Sequence, residues 1–500
     1  MSKAFDKVWH EGLVFKLKQN GIDGNLLNLL RNYLSNRKQR VVINGQESNW
    51  ADIQAGVPQG SVLGPLLFLV YINDLEEGIK SYVKFFADDT SLFSVVHDPF
   101  VSADELNHDL DLINKWAHQW KMCFNPDPNK QAEEILFSNK TKSPDHPLLF
   151  FNNIEVKRVD DHKHLGLILD SKLTFSKHIK EKISTARKGI GIIKHLSPHL
   201  PLKSRDQIFK MHIRPHLDYC DSIYHIPIKS RETNDFDSTC TVNYQMKLLE
   251  STQYQAALAV SGAWKGTNRT KIYDELGWET LNHRRVFRRL TQFYKIMTGL
   301  TPDYLRTPIP SLRGHLFGYR FSNILNTIFS RTDKHKSSFF PDSVTLWNDI
   351  GPQLRGAESL SIFKSKVLKL YRPVKKSLYN IHDPYGIKWI FQLRVGLSPL
   401  KSHKMNHNFK DTPIDTCDCT LDAETSHRYF LHCPAYINQR RDLFQILDPL
   451  MLKNNLHFVD DIGLVNILLY GHKSFQLDEN HEILKSTINF IRKTSRFSQL

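Results

Sequence analysis

The feature of this sequence that most constrains its fold is a pair of adjacent aspartates between two strand-forming stretches. Asp88 and Asp89 end the tetrapeptide Phe-Ala-Asp-Asp (86–89), and β-branched and aromatic residues fill 82–86 and 90–96. Such flanks predict two antiparallel strands joined by a tight turn. Aspartate is an ordinary turn residue, but two adjacent carboxylates repel each other unless cations neutralise them. The hairpin is therefore a candidate Mg²⁺ site, since Mg²⁺ is usually bound through a few carboxylates and substrate phosphates.

A second motif precedes this hairpin. Residues 56–65 read Gly-Val-Pro-Gln-Gly-Ser-Val-Leu-Gly-Pro, and an apolar run continues to residue 72. Glycines at such positions let the backbone approach a flat ligand closely. In this order, the two motifs predict a template-directed polymerase.

Five segments together resemble the reverse transcriptases of non-LTR retrotransposons, most closely the jockey-like elements. Residues 4–10 (Ala-Phe-Asp-Lys-Val-Trp-His) are similar to the end of polymerase motif A. Residues 56–68 resemble motif B, 86–89 motif C, 116–138 motif D, and 164–167 (His-Leu-Gly-Leu) motif E, the primer grip. The resemblance covers roughly the first third of the chain, in the family's order of motifs.

The resemblance implies RNA-directed DNA synthesis by two-metal nucleotidyl transfer, with an RNA template, a DNA primer, dNTP and Mg²⁺. It implies that Asp88 binds Mg²⁺ and that Asp89 assists as the second catalytic carboxylate. The residues implied to contact the nucleotide or template are Phe5, Gln59, Gly60 and Ser61. Those implied to support the primer end are His164, Leu165 and Gly166.

Motif A departs from the family pattern, which typically reads Asp-x-Ser-Lys-Ala-Phe-Asp. Alignment of residues 2–6 places the metal-binding aspartate of that pattern immediately before Met1. We therefore expect an amino-terminally truncated palm without fingers, and a chain that is inactive alone. Asp6 is interpreted as the cap of a helix at 7–20 and not as a substitute ligand. Two alternatives stay open: a catalytically dead nucleic-acid-binding remnant, and a gene-model fragment.

Charge and composition indicate the partners. The formal net charge is +15, which favours a polyanionic partner such as nucleic acid. Basic residues at helical spacing in 178–195 resemble the polymerase thumb, where they would neutralise phosphates. The chain shows no signal peptide, and its longest apolar run, 62–72, is too short to cross a bilayer. We expect a soluble intracellular protein, nuclear or cytoplasmic, without membrane contact.

A cysteine-rich segment predicts a structural zinc knuckle. Cys417, Cys419, His427 and Cys433 provide three thiols and an imidazole, the ligand set of a four-coordinate zinc site, and His432 is an alternative fourth ligand. Similar segments lie downstream of the polymerase in non-LTR elements. Residues 401–440 are polar, so we expect them to need the metal to hold one conformation. Buried free thiols with a surface histidine are the alternative.

The predicted fold class is α+β. A truncated palm, an antiparallel sheet with helices, occupies residues 1–175. A helical thumb follows at 176–300, a connector and helical region at 301–400, and a helical carboxy-terminal region with the zinc knuckle at 401–500.

Overall fold

The computed structural model describes residues 3–124, 132–142, 145–226, 244–312, 324–371, 381, 383–456 and 458–497. The chain divides into two compact units, Met1–Thr174 and Phe175–Leu500. Most of the Phe-Asn-Pro-Asp part of motif D (124–127) and the loop predicted at 234–243 lie outside the described residues. No helix in these ranges is long and apolar enough to cross a membrane.

The first unit alternates helices with very short strands. Its helices are α1 His10–Gln19, α2 Gly24–Leu34, α3 Leu63–Ile72 and α4 Pro99–Gln119. Its strands are β1 Arg37–Gln39, β2 Val42–Ile43, β3 Gln46–Glu47, β4 Ala51–Ile53, β5 Tyr82–Phe86, β6 Asp89–Phe93, β7 Glu133–Glu134, β8 Phe150–Phe151, β9 Ile154–Glu155, β10 Lys157–Arg158, β11 Asp161–His164 and β12 Leu167–Asp170.

The described strands form two-stranded sheets. β1 pairs with β4, β2 with β3, β5 with β6, β8 with β9 and β11 with β12, all antiparallel, whereas β7 and β10 are parallel. The predicted mixture of helices with antiparallel strands is confirmed at this coarse level. The sequence also predicts a hairpin with strands at 41–45 and 49–53 around Asn44-Gly45. The turn is present, with φ of +52° and +81°, but the strand after it is β3, and β4 pairs with β1. The basic segment at 36–40, expected to end α2, instead contributes β1.

The core of the first unit lies under α3 and α4. Phe68 and Tyr71 of α3 are fully buried, and the Tyr71 hydroxyl donates to the Trp120 carbonyl. Lys16 of α1 is buried beside them, with its Nζ 3.7 Å from the Trp120 ring centroid. Its ammonium donates to Asp74 Oδ1 at 2.5 Å. The Lys16 side chain therefore links α1 to the end of α3 and to the turn that follows it, where it also donates to the Tyr71 carbonyl.

The regular secondary structure described in the second unit is helical, apart from two isolated β-bridges. Its helices are α5 Ser176–Leu196, α6 Leu202–Ile208, α7 Arg214–Asp218, α8 Asp221–Tyr224, α9 Tyr244–Ser261, α10 Arg269–Leu276, α11 Leu281–Met297, α12 Asp333–Ser337, α13 Phe339–Asp349, α14 Pro352–Arg355, α15 Leu360–Tyr371, α16 Pro384–Val395, α17 Lys401–Asn406, α18 Ile437–Lys453, α19 Asp461–Tyr470 and α20 Leu477–Thr494.

One core of the second unit crosses the boundary predicted at residue 300. Phe293 and Tyr294 of α11 pack with Trp347 of α13 and Phe363 of α15, and the Tyr294 and Phe363 rings stack at 4.5 Å. The predicted thumb and connector therefore share apolar packing. The division of the second unit into three domains stays a prediction.

Candidate active site and metal-binding residues

The β5–β6 hairpin places the two adjacent aspartates at its tip. Phe86 pairs with Asp89, which leaves Ala87 and Asp88 as the two turn residues. Ala87 adopts a left-handed φ of +52°. Asp88 is half-buried and Asp89 exposed. Asp88 therefore lies in the tight turn that the sequence predicts, and Asp89 is the first residue of the strand that follows.

A buried carboxylate that the sequence analysis missed anchors this hairpin. Asp109 of α4 is fully buried, and its Oδ1 and Oδ2 accept hydrogen bonds from the Lys80 and Ser81 amides at 3.0 and 2.8 Å. Burial alone would raise the pKa of Asp109, but these hydrogen bonds outweigh it and lower the pKa. The available signal was a charged residue between Leu106 and Ile113, on the apolar face of the helix.

The end of motif A is bonded to the start of motif B. The Gly56 amide donates to the Val8 carbonyl, and the Val57 amide donates to the Phe5 carbonyl, both at 2.8 Å. Gly56 has a φ of +96°, and a Cβ built on it would lie 2.8 Å from the Asp6 backbone. Glycine is therefore required here by both its φ and the close approach of the Asp6 backbone.

The residues expected to contact nucleotide or template lie around this junction. The Phe5 ring is half-buried and stacks on Phe68 with centroids 4.4 Å apart. Gln59 and Gly60 are exposed, and Gly60 has a φ of +82°. Ser61 Oγ donates to the Pro58 carbonyl and accepts from the Gly64 amide. The Ser61 hydroxyl is thus engaged in closing the turn before α3.

The expectation that Asp6 caps the following helix is wrong. Asp6 ends a short 3₁₀ turn, Ala4–Asp6, and α1 begins only at His10, with Trp9 at its N-cap and no side-chain cap. The hydrogen bond from the Gly56 amide holds the Val8 carbonyl outside the helix, so the helix begins later than predicted. Asp6 Oδ1 instead accepts from Gln59 Nε2 at 2.9 Å.

Asp6 does not complete a carboxylate triad. Within the part of the chain that the structure describes, the group of three potential metal ligands with atoms inside 4.8 Å is Cys417, Cys419 and Cys433. Asp88 and Asp89 therefore have no third carboxylate grouped with them among these residues.

The residues expected to form the primer grip occupy another hairpin tip. In the β11–β12 pair, His164 is opposite Leu167, so Leu165 and Gly166 form the turn. Both have positive φ, +46° and +82°. The structure places all three predicted residues at one tip.

The basic helix α5 is amphipathic as expected. Ile183, Ile190 and Ile193 are buried, whereas its basic side chains Lys180, Arg187, Lys188 and Lys194 are exposed. Lys180, Arg187 and Lys188 line an open cavity together with Leu248 of α9. This face presents positive charge to solvent, and within the described ranges Arg187 and Lys188 form no ion pair with a carboxylate.

The three thiols of the predicted zinc knuckle are brought together. Cys417 Sγ and Cys433 Sγ are 3.6 Å apart, close to the roughly 3.8 Å that two sulfurs have in a tetrahedral site with Zn–S bonds of about 2.3 Å. The Cys417 amide donates to the Asp422 carbonyl, and Thr416 bridges to Ala423, which forms the tight turn that carries Cys419. These residues fit a metal ion.

The protonation of the thiols differs with their surroundings. Burial raises the pKa of the Cys417 thiol to about 12. Hydrogen bonds from the Leu421 amide and the Arg428 guanidinium lower the pKa of Cys419 to about 7. Cys419 is therefore the thiol most ready to provide a thiolate, the form that binds metals.

The two candidate histidines have different surroundings. His427 Nε2 is buried without a hydrogen-bond partner, although His427 does not belong to the thiol group. His432 Nε2 lies 2.6 Å from Asp461 Oδ2, and both side chains are about half exposed. His432 is engaged with Asp461, whereas His427 has a free nitrogen in the protein interior.

Residues 401–440 bury more apolar side chains than expected. Tyr429 and Phe430 are fully buried, and their ring centroids lie 5.3 and 5.5 Å from that of Phe490 in α20. The buried Glu424 accepts two hydrogen bonds from Arg496, at 2.6 and 2.7 Å. The segment is thus joined to the carboxy-terminal helix by its own side chains, which contrasts with the predicted dependence on a metal alone.

The first part of the chain is similar to known reverse transcriptases. Residues 1–142 match the family described as "Reverse transcriptase (RNA-dependent DNA polymerase)". The RNA-directed DNA polymerase from mobile element jockey of Drosophila melanogaster is 31% identical over 243 residues, 46% of this chain and 26% of that protein. The probable RNA-directed DNA polymerase from transposon X-element of the same species is 28% identical over 289 residues, 56% of this chain and 29% of that protein.

A third relative, the probable RNA-directed DNA polymerase from transposon BS of Drosophila melanogaster, is 32% identical over 188 residues, 36% of this chain and 20% of that protein. The chain spans less than a third of each of these relatives. Its first 142 residues contain the β5–β6 hairpin and the junction of motifs A and B. Residues 1–142 thus match the reverse transcriptase family, and the chain is similar to RNA-directed DNA polymerases of the jockey, X-element and BS mobile elements.

Proposed function

We propose that this chain carries the palm of an RNA-directed DNA polymerase, with Asp88 as its Mg²⁺ ligand. The observation that supports this most directly is the β5–β6 hairpin, which has Asp88 in its turn and Asp89 beside it, inside the region that matches the reverse transcriptase family. In the proposed reaction, a primer 3′-hydroxyl attacks the α-phosphate of a dNTP, and pyrophosphate leaves. When bound, Mg²⁺ supplies charge stabilisation for the attacking and leaving oxygens.

The chain's own residues have distinct parts in this proposal. Asp88 holds the ion from the hairpin tip, and Asp109 fixes the base of the hairpin to α4. The Phe5 ring, supported from one side by Phe68, offers its other face to the nucleotide sugar. Gln59, oriented by its hydrogen bond to Asp6, and the exposed backbone at Gly60 approach the template base.

The Leu165–Gly166 turn, with His164, supports the primer end at the β11–β12 tip. Proximity of two phosphorylated substrates is the main contribution that a palm can make, since the chemistry itself needs little covalent assistance from the protein.

The test of the metal site is Mn²⁺ binding to the 500-residue protein, followed by electron paramagnetic resonance. Asp88→Asn should lower Mn²⁺ affinity, because it removes a charged ligand. Asp104→Asn is a matched control, since Asp104 is an exposed carboxylate on α4. Equal Mn²⁺ binding by the two variants and the unmodified protein would contradict the assignment of Asp88.

We also propose that these 500 residues do not extend a primer by themselves. Two-metal catalysis needs bridging carboxylates, and Asp6 is hydrogen-bonded to Gln59 and not grouped with Asp88 among the described residues. The assay is an RNA homopolymer template with a DNA primer, dNTP and Mg²⁺ or Mn²⁺. Extension that disappears in Asp88→Ala would overturn this proposal.

A nucleic-acid-binding protein without catalysis is the second candidate. The exposed basic face of α5 favours it, because phosphate neutralisation by Lys180, Arg187 and Lys188 does not depend on Asp88. Binding of an RNA–DNA duplex, together with Mn²⁺ binding that is unchanged in Asp88→Asn, would support this candidate.

For the thiol cluster we infer a structural zinc ion held by Cys417, Cys419, Cys433 and His427. The unpartnered buried nitrogen of His427 supports its choice over His432, which is engaged with Asp461. Bound zinc would add binding free energy to the folding of this segment.

A further inference from the structure

A cavity of 520 Å³ lies in the second unit, among α5, α6, α9 and α16. Its charged lining residues are all cations, Lys194, Arg205, Lys265 and Lys388, and no Asp or Glu lines it. Its walls are otherwise small or apolar, with the Tyr385 ring at one side. Four positive charges around one cavity repel one another, so an anion inside it would relieve this repulsion.

Arg205 carries the strongest indication. Arg205 is only 2% exposed, and its Nε and Nη2 atoms are buried without a hydrogen-bond partner. Among the described residues, no carboxylate forms an ion pair with Arg205, because the adjacent Asp206 is engaged by Lys210 and by Trp278 Nε1. A buried, unpaired guanidinium is costly, and burial lowers the pKa of Arg205 to about 10.

The other cations surround this guanidinium at different depths. Lys388 is half-buried, and its aliphatic stem packs so closely on Gly262 that a Cβ there would lie 3.1 Å from Lys388 Cγ. Lys194 and Lys265 are exposed. The cavity therefore has one buried guanidinium, one half-buried ammonium and two exposed ammonium groups.

We propose that this cavity binds a phosphate group, with Arg205 as its central donor and Lys388 as its second. The planar guanidinium offers parallel N–H donors that match phosphate oxygens, and the lysines act as point charges. A volume of 520 Å³ exceeds a single phosphate, so the group is carried by a larger molecule. Phosphodiesters of nucleic acid and phosphate groups of free nucleotides share this chemistry.

The nucleic-acid source is the one that the surroundings favour. Lys194 lies on α5, the helix whose exposed face also presents Lys180, Arg187 and Lys188. A strand that follows this basic face would bring its phosphates to the cavity. The phosphate site itself does not depend on polymerase activity, Mg²⁺ or the palm.

The first experiment is thermal unfolding of the full chain in inorganic phosphate, compared with chloride at matched ionic strength. We expect phosphate to raise Tm of the unmodified protein and of Lys203→Gln, a control that changes an exposed lysine two residues from Arg205. Arg205→Met should lose the phosphate response. Its Tm in chloride should be equal or higher, because the substitution removes an unpaired buried charge, whereas a structural arginine would lower it.

Lys388→Gln keeps the test decisive if Arg205→Met does not fold. It should weaken the apparent phosphate affinity about tenfold, since it removes one charge-assisted contact. An equal phosphate response in the unmodified protein, Arg205→Met and Lys388→Gln, or no response at all, would overturn the proposal.

A second arm distinguishes the sources. A single-stranded RNA oligonucleotide with hydroxyl ends is titrated by fluorescence anisotropy, and ATP is titrated by calorimetry. Weaker RNA binding in Arg205→Met than in Lys203→Gln assigns the site to nucleic-acid phosphodiesters. Arg205-dependent binding of ATP with unchanged RNA binding assigns it to free nucleotides. Neither arm uses primer extension or Mg²⁺, so failure of the proposed polymerase function would leave both results unchanged.

Discussion

Gln59 Nε2 donates a hydrogen bond to Asp6 Oδ1 at 2.9 Å, although the two residues are 53 positions apart in the chain. The contact lies beside the close approach of Gly56 to the Asp6 backbone. Motifs A and B are therefore joined by backbone and side chain before any ligand is bound. This arrangement orients Gln59, and the Asp6 carboxylate binds Gln59 instead of capping α1.

We expect Gly56→Ala to be strongly destabilising and Asp6→Asn to be nearly neutral. Alanine at 56 would need a φ of +96° and would place its Cβ 2.8 Å from the Asp6 backbone. The cost of such strain and overlap is about 2–4 kcal/mol. Asparagine at 6 keeps an Oδ1 acceptor for Gln59 at an exposed position. Urea unfolding compares the two variants, and similar midpoints would contradict the packing argument.

The Asp109 anchor predicts a pH dependence of stability. Because its pKa is lowered in the folded state, its contribution is present above the unfolded value of about 3.9 and is lost as pH falls through the folded pKa. Asp109→Asn would place a side-chain N–H donor against the Ser81 N–H donor. This should lower the free energy of unfolding by about 1–3 kcal/mol near neutral pH.

Urea unfolding at neutral pH and between pH 5 and 3 provides the measurement for Asp109. The difference between Asp109→Asn and the unmodified protein should shrink as the pH falls. Asp104→Asn, on the exposed side of α4, is the matched control for the substitution itself. A constant difference across the range would rule out titration of Asp109 as its source.

Nucleic-acid binding by α5 should depend steeply on salt and little on sequence. Titration of a labelled RNA–DNA duplex at several salt concentrations gives the slope of log K against log salt. Arg187→Gln should weaken binding and reduce the magnitude of this slope by about one, the contribution of one phosphate contact. Lys485→Gln changes an exposed lysine of α20 and is the control. A flat salt response would remove α5 from the interface.

The thiol cluster should bind about one zinc per chain, by analogy with structural sites that use four protein ligands. Cys419→Ser should lose the metal, whereas Cys123→Ser, at an exposed cysteine elsewhere, should retain it. His427→Ala should also lose zinc, and His432→Ala should keep it because His432 contacts Asp461. The measurement is the zinc content of each variant after purification without chelator. Equal zinc contents of Cys419→Ser and Cys123→Ser would exclude a thiolate site.

Several elements followed from local sequence pattern alone. Alternating β-branched and aromatic residues around Asp88 predicted the β5–β6 hairpin, and Asn44-Gly45 predicted its own turn. Isoleucines at helical spacing predicted the buried face of α5. These patterns are readable because hydrophobic period and turn conformation depend on residues close in the chain.

The functional contacts between distant residues depended on tertiary structure. Asp6 looked like a cap because Asp is a good cap, but the Gly56 amide holds the Val8 carbonyl and delays the helix. Residue type alone does not show that Asp109 anchors a hairpin or that Arg205 is a buried cation without a partner. Packing decides which polar groups lose water and which hydrogen-bond partners they keep. The sequence by itself therefore determined the motifs, the local hairpins and the charge. Tertiary structure decided which side chains bond to one another and which buried charge has no partner.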